Sequence, residues 1–169
     1  MTEEATPRVV AVNRGTEQAV GPASGRSPQH DALDVWVGKW INEGHVINED
    51  GSLGPAITTS DVYEWAPGRF FIAHSAYGRI GEFGVGGTEI IGHDAASGNY
   101  TSHFFDSQGN VTISSLIARG DTWTYYGDST RSTVEFSDGH LVQTVLHERT
   151  DDGGTTYQTS MKVTLVKVA

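Results

Sequence analysis

From Lys39 to the end of the chain, apolar and polar residues alternate in short runs separated by Gly-, Asp- and Asn-bearing turns. Alternation with period two is the mark of a half-buried β-strand. It predicts ten strands, at 39–48, 58–65, 69–77, 87–93, 99–105, 110–118, 121–127, 130–136, 140–149 and 155–167. Such close, regular spacing describes an antiparallel meander that either closes or folds into a sandwich. No helix-period segment of any length interrupts it. "HDALDVWVG" at 30–38 is the one helix-like turn, with Asp31 as its cap and Leu33, Val35, Trp36 and Val37 able to plug one end of a β structure. Residues 1–30 carry few large apolar side chains and read as a flexible arm ahead of a domain over 31–169. Within it, "RVVAV" at 8–12 could add as an edge strand or cross to a partner subunit.

Turn chemistry sets which residues share a face, because a one-residue slip reverses every side chain. "HDAASGNY" pairs His93 with Tyr100 and Ile90 with His103; "DSQGN" then sets His103 against Ile113 and Phe105 against Val111. His93 and His103 therefore lie on opposite faces. The face with Ile90, His103, Phe105, Val111, Ile113 and Ile117 is the more apolar and is expected inside, leaving His93, Glu89 and Thr112 outside. A three-residue loop at 118–120 carries the register onward, and a Pro67-Gly68 turn sets Asp61 opposite His74. Turns at 127–128 and 138–139 add Val134, Phe136, Leu141, Gln143, Val145 and His147 to the inner set. "GRIGEFGVGGT" at 78–88 reads as a flexible flap at one end.

Composition narrows the function. Eleven basic against 21 acidic residues give a formal charge of −10, which disfavours nucleic acid and anionic membrane surfaces as partners. The chain has no cysteine, so thiolate nucleophiles, disulfides and Cys-based metal sites are excluded. "MTEEATPRVVAVNRG" lacks the basic start and apolar core of a signal peptide, and no apolar run reaches membrane-spanning length. The expectation is a cytoplasmic protein.

"LDVWVGKWINEG" resembles the opening Gly-x-Trp motif of the calycin superfamily, the lipocalins and their relatives, with Gly38 and Trp40 in the matching places. "WAPGRFFI" and "GTEIIGHDAASGNY…FFDSQG" are similar to a bacterial lipocalin-like family of unknown function, which tends to carry Gly-Tyr-Asp where this chain has Gly92-His93-Asp94. The resemblance spans roughly 32–167 and implies an all-β, single antiparallel up-and-down barrel of about ten strands, with a small molecule in its interior. It implies no single activity, since relatives include carriers, haem binders and a few cyclising enzymes.

On this register three histidines point inward, His74, His103 and His147. Imidazole titrates near neutrality and suits proton transfer, so these three are candidate catalytic groups, with Asp61 orienting His74 and Tyr125 bonding a substrate carbonyl or enolate. Trp40, Asn42, Tyr63, Trp65, Phe70 and Ile72 are expected to line a ligand site, together with Phe105, Ile113, Trp123, Phe136, Gln143, Tyr157 and Met161. The expected function is cofactor-free acid–base chemistry, a cyclisation or isomerisation, on a small apolar metabolite. The alternative is a carrier or sensor that binds without turnover. Three histidines could instead form an open metal site, but they fall on non-consecutive strands, and "GKWINEG" lacks the fuller glycine-rich motif of the haem-binding relatives. Neither metal nor cofactor is expected, and a homodimer is left open.

Overall fold

Each of the ten alternating segments becomes a strand in the computed structural model, which describes residues 25–169. The strands are β1 (Gly38–Ile47), β2 (Leu53–Trp65), β3 (Phe71–Ile80), β4 (Phe83–His93), β5 (Tyr100–Asp106), β6 (Val111–Arg119), β7 (Thr122–Tyr126), β8 (Thr130–Ser137), β9 (Val142–Arg149) and β10 (Gln158–Lys167). Each pairs antiparallel with its sequence neighbours, and β1 also pairs β10, from Trp40 opposite Lys167 to Val46 opposite Met161. The sheet is thus a closed up-and-down barrel, which leaves no edge strand exposed. Closure requires tight bends. A Cβ on Gly44 would lie 2.1 Å from the Lys162 carbonyl oxygen, and one on Gly78 2.0 Å from that of Thr58. Only glycine lets the neighbouring backbones come so close. No helix among the described residues is long and apolar enough to cross a membrane.

One end of the barrel is stoppered by the segment ahead of β1. Residues Pro28–Asp31 form a short helical turn, α1, followed by a 3₁₀ turn over Ala32–Val35. Its cap is Ser27 rather than Asp31, because the Ser27 N–H donates to His30 Nδ1 at 3.0 Å and Pro28 takes the first helical position. The Tyr100 hydroxyl ties this turn to β5 by donating to the Gln29 carbonyl at 2.9 Å. Leu33 and Trp36 are fully buried, and the Trp36 ring meets Tyr63, Trp123 and Phe136 at centroid distances of 5.5, 5.6 and 5.0 Å. Residues 28–30, at the end of the expected arm, therefore belong to the plug; residues 1–24, with "RVVAV", lie outside the described residues. The Gly-x-Trp pair works at this same end. Gly38 has φ 141° and sits against the Ala169 carbonyl, while Trp40 donates its indole N–H to the Trp36 carbonyl at 2.9 Å and lies under Lys167 Nζ.

The register departs from expectation in two ways. The turns at 67–70 and 138–141 have four residues rather than two, and the two-residue turn expected at 127–128 lies one position later, at 128–129, so Tyr63 pairs His74, Trp123 pairs Val134, and Val134 pairs Val145. Each slip is two residues, which preserves the faces; Leu141 alone leaves the inner set, half-exposed in the last of these loops. In β4, β5 and β6 the pairings are those expected, His93 with Tyr100 and His103 with Ile113, but the face is reversed. Glu89, Ile91, Ser102, Ser114 and Leu116 are buried inside, whereas Phe105 is 47% and Ile113 58% exposed. His103 faces outward, and His93 follows the inner set to the plugged end, edge-on to His30 and Tyr100. The turn after β6 is correspondingly two residues, Gly120-Asp121, with Arg119 opposite Thr122. The expected flap at 78–88 is a regular hairpin turning at Gly81-Glu82, with Gly78 opposite Val85.

Removing the plug's central ring should cost more than altering its polarity. Trp36→Ala is expected to lower unfolding free energy by about 3–5 kcal/mol, the range for large core truncations. Trp36→Phe should cost much less, because it keeps a ring and discards an indole N–H that has no partner. Denaturant titration of both variants checks this.

Candidate functional site

Above the plug the barrel encloses a cavity of about 400 Å³, a volume suited to a small organic molecule. Its floor passes into the aromatic plug through Tyr63 and Tyr125, whose rings stand 5.5 and 6.1 Å from Trp36. Its mouth lies at the opposite end, where the cavity-lining Thr112 and Thr130 are exposed. Val134, Val145, Val163 and Leu165 supply apolar wall. Polar groups are set among them on successive strands.

The central constellation is His74 on β3, held between carboxylates from the strands on either side. Its Nε2 lies 3.0 Å from Asp61 Oδ1 on β2 and its Nδ1 2.7 Å from Glu89 Oε2 on β4. Both carboxylates are braced in turn: Thr59 donates to Asp61 Oδ2 at 2.6 Å, and the Ser102 hydroxyl donates to Glu89 Oε1. Tyr63 stacks on the imidazole at 3.8 Å with the rings nearly parallel. Burial pulls the His74 pKa down, but hydrogen bonds and charge from Asp61 and Glu89 outweigh it and raise the value to about 9. An imidazole with a carboxylate on each nitrogen donates from both. His74 is therefore an imidazolium at neutral pH, with no free ring lone pair to take a proton or bind a metal.

His147 on β9 is the counterpart. Its Nδ1 is 2.8 Å from the Ser132 hydroxyl, and burial lowers its pKa with no carboxylate to compensate. It is neutral at pH 7. A serine hydroxyl can donate or accept, so His147 can carry its proton on either nitrogen, and Nε2 has no partner among the described residues. Burial raises the Tyr63 and Tyr125 hydroxyls well above the usual phenol value, with the charge of Glu89 adding to it, so both stay protonated. Two lining groups are unpartnered: Asn42 Oδ1 and Gln143 Nε2 are buried without a hydrogen bond.

Of the residues expected at the site, Asn42, Asp61, Tyr63, His74 and Tyr125 line this cavity, as do Gln143, His147 and Met161. Trp40, Ile72, Trp123 and Phe136 are buried beneath it in the core around the plug. Trp65 and Phe70 lie at the plugged end, Trp65 donating to Asp34 at 2.8 Å and Phe70 edge-on to His30. Tyr157 precedes β10 with the Arg131 guanidinium 3.9 Å above its ring. His103, Phe105 and Ile113 stand on the outer face, so three histidines do not converge. Among the described residues no three His, Asp or Glu side chains are placed to hold a metal. Sequence reasoning missed Glu89, Ser102, Phe104 and Ser114, all displaced by the reversed face, and Glu148 beside His147.

The raised His74 value has a signed consequence for stability. The native state holds its proton more tightly than the unfolded chain does, so this contribution is complete below pH 6.5 and is lost as pH rises through about 9. At 1.36 kcal/mol per pKa unit the loss is on the order of 3 kcal/mol. Nitrogen-edited NMR should show the His74 ring doubly protonated at pH 7 and titrating near pH 9; Glu89→Gln should lower that midpoint and flatten the stability decline. A His74 midpoint at or below 6.5 would refute the imidazolium.

No protein-family model matches the chain, and no curated protein matches it. The closed ten-strand antiparallel barrel is compatible with a calycin-like fold.

Proposed function

We propose that this protein binds a small, largely apolar molecule inside the barrel, with a polar group of the ligand seated between Asn42 and Gln143. The observation that carries this reading is a cavity lined by Asn42 and Gln143, each of which keeps a buried polar atom without a hydrogen bond. A buried amide without a partner costs about 1–3 kcal/mol. That cost is withdrawn when a ligand supplies the missing partners. Asn42 and Gln143 both flank Leu165, from β1 and β9, so they sit at one level of the wall.

The test is a trade between stability and binding. Gln143→Leu removes the orphaned donor at similar volume, so the apo protein should be as stable as the parent or more so, while ligand retained through native mass spectrometry falls. A variant less stable by more than 2 kcal/mol with unchanged retention would mean that Gln143 serves the core rather than a ligand.

A second reading, turnover by acid–base chemistry such as isomerisation or cyclisation, is favoured by one further observation. His147 is neutral and lines the cavity, and the Ser132 hydroxyl on Nδ1 can accept from that nitrogen, leaving Nε2 with a lone pair to take a proton. A pocket that also holds the substrate in reactive geometry contributes much of such a rate by orientation. His147→Gln should then abolish conversion of a bound substrate by about 100-fold or more, the usual weight of a general base, with affinity nearly unchanged. A carrier would show only a graded change in affinity.

A further inference from the structure

The charge of the cavity wall selects among ligands. Among the described residues no lysine or arginine lines the cavity, whereas Asp61, Glu89 and Glu148 do. Glu148 is answered from outside the cavity by Arg131, at 2.7 Å. The Asp61–His74–Glu89 group is two carboxylates around one imidazolium, and so keeps one net negative charge in the barrel interior. A charge there is screened far less than one at the surface.

The carboxylates also have bonding capacity to spare. Each of their four oxygens accepts one hydrogen bond from His74, Thr59 or Ser102. An ionised carboxylate offers about two acceptor positions per oxygen. Asn42 pairs across β1 and β2 with Thr59, the residue that braces Asp61, and its Oδ1 is an acceptor with no donor. Tyr63, Phe104 and Tyr125 add aromatic rings to the wall. Gln143 stands apart from this set. It is 1% exposed, and its free Nε2–H asks for an acceptor on the ligand.

From these observations we infer that the ligand is a protonated organic amine, primary or secondary, with a small apolar or aromatic body and a hydroxyl or carbonyl acceptor near the ammonium. The inference rests on the small-ligand reading above. The ammonium N–H groups meet Asn42 Oδ1 and the open carboxylate positions, the body lies against the aromatic and aliphatic wall, and the acceptor takes the Gln143 N–H. A carboxylate or phosphate on the same body meets the net negative charge and is rejected.

The experiment uses the full chain and one carbon frame in several charge states: 2-phenylethylamine, 2-phenylethanol, 3-phenylpropionate and 2-amino-1-phenylethanol, each titrated by calorimetry and thermal shift. The amine should bind about ten- to a hundred-fold more tightly than the alcohol, the worth of one charge-assisted hydrogen bond. The amino alcohol should bind more tightly still, and the carboxylate should not bind. In Glu89→Gln, with its fold checked by circular dichroism, the preference for amine over alcohol should shrink while alcohol affinity holds. If that variant does not fold, the parent series alone decides. Equal binding of amine and alcohol, or preference for the carboxylate, would overturn the amine inference and leave the small-ligand reading standing. Failure of every probe to bind would overturn the amine inference as well, whereas the small-ligand reading falls only if native mass spectrometry of the parent protein shows no retained ligand.

Discussion

Two carboxylates share the interior of this barrel, and they can do so because His74 stands between them as an imidazolium. Like charges buried together are costly, and a buried ion survives only when its partners satisfy it. Here the pairing runs across the sheet: Asp61 from β2, His74 from β3 and Glu89 from β4, with Ser102 from β5 completing the chain. A one-residue slip at either hairpin would turn one member outward and strand the rest. The group therefore ties the registers of four strands to one another, in a part of the wall where apolar packing alone would not choose a face.

That last point explains what could and could not be read from the residues. The ten strands, the antiparallel meander and the plug were legible because each rests on local pattern: alternation, turn residues, and an apolar cluster around Trp36. At 67–70, 128–129 and 138–141 the turns shift the pairing by two residues from what the turn residues suggest, which leaves faces intact, so the inward placement of Asp61, His74, Gln143 and His147 is legible all the same. The face of β4 to β6 did not, because its outer side carries Ile90, Phe105, Val111 and Ile113, while its inner side carries Glu89, Ser102, Thr112 and Ser114. The rule that the more apolar face is the buried one assumes a dry core. A barrel wall that lines a cavity need not obey it.

A signal for the correct face was present in the glycine-rich stretch set aside as a flap. Treating 78–88 as a hairpin with a two-residue turn at Gly81-Glu82 and counting outward places Glu89 opposite His74, the observed pairing. It would have given Glu89, Ser102 and Ser114 as inner residues and removed His103. A three-residue loop at 118–120 in place of the two-residue turn at Gly120-Asp121 reverses the parity a second time, so β7 falls on its proper face under either reading of β4 to β6. In β4 to β6 the turns, not the local hydrophobicity, determine which face is buried.

The barrel is thus divided along its axis by chemistry as well as by packing. At the plugged end Trp36, Trp40, Trp123 and Phe136 form a tightly buried aromatic stopper. Above it, the same inward positions on the same strands become polar, and two histidines meet opposite fates. His74 is held charged by two carboxylates and has both nitrogens committed; His147 is held neutral by burial and keeps one nitrogen free. The first is outnumbered by its two carboxylates, which set the sign of the field in the cavity, and the second keeps a free ring nitrogen facing it. A cation drawn in by that field would oppose protonation of His147, so the ligand's own positive charge would reinforce burial in keeping the free imidazole neutral.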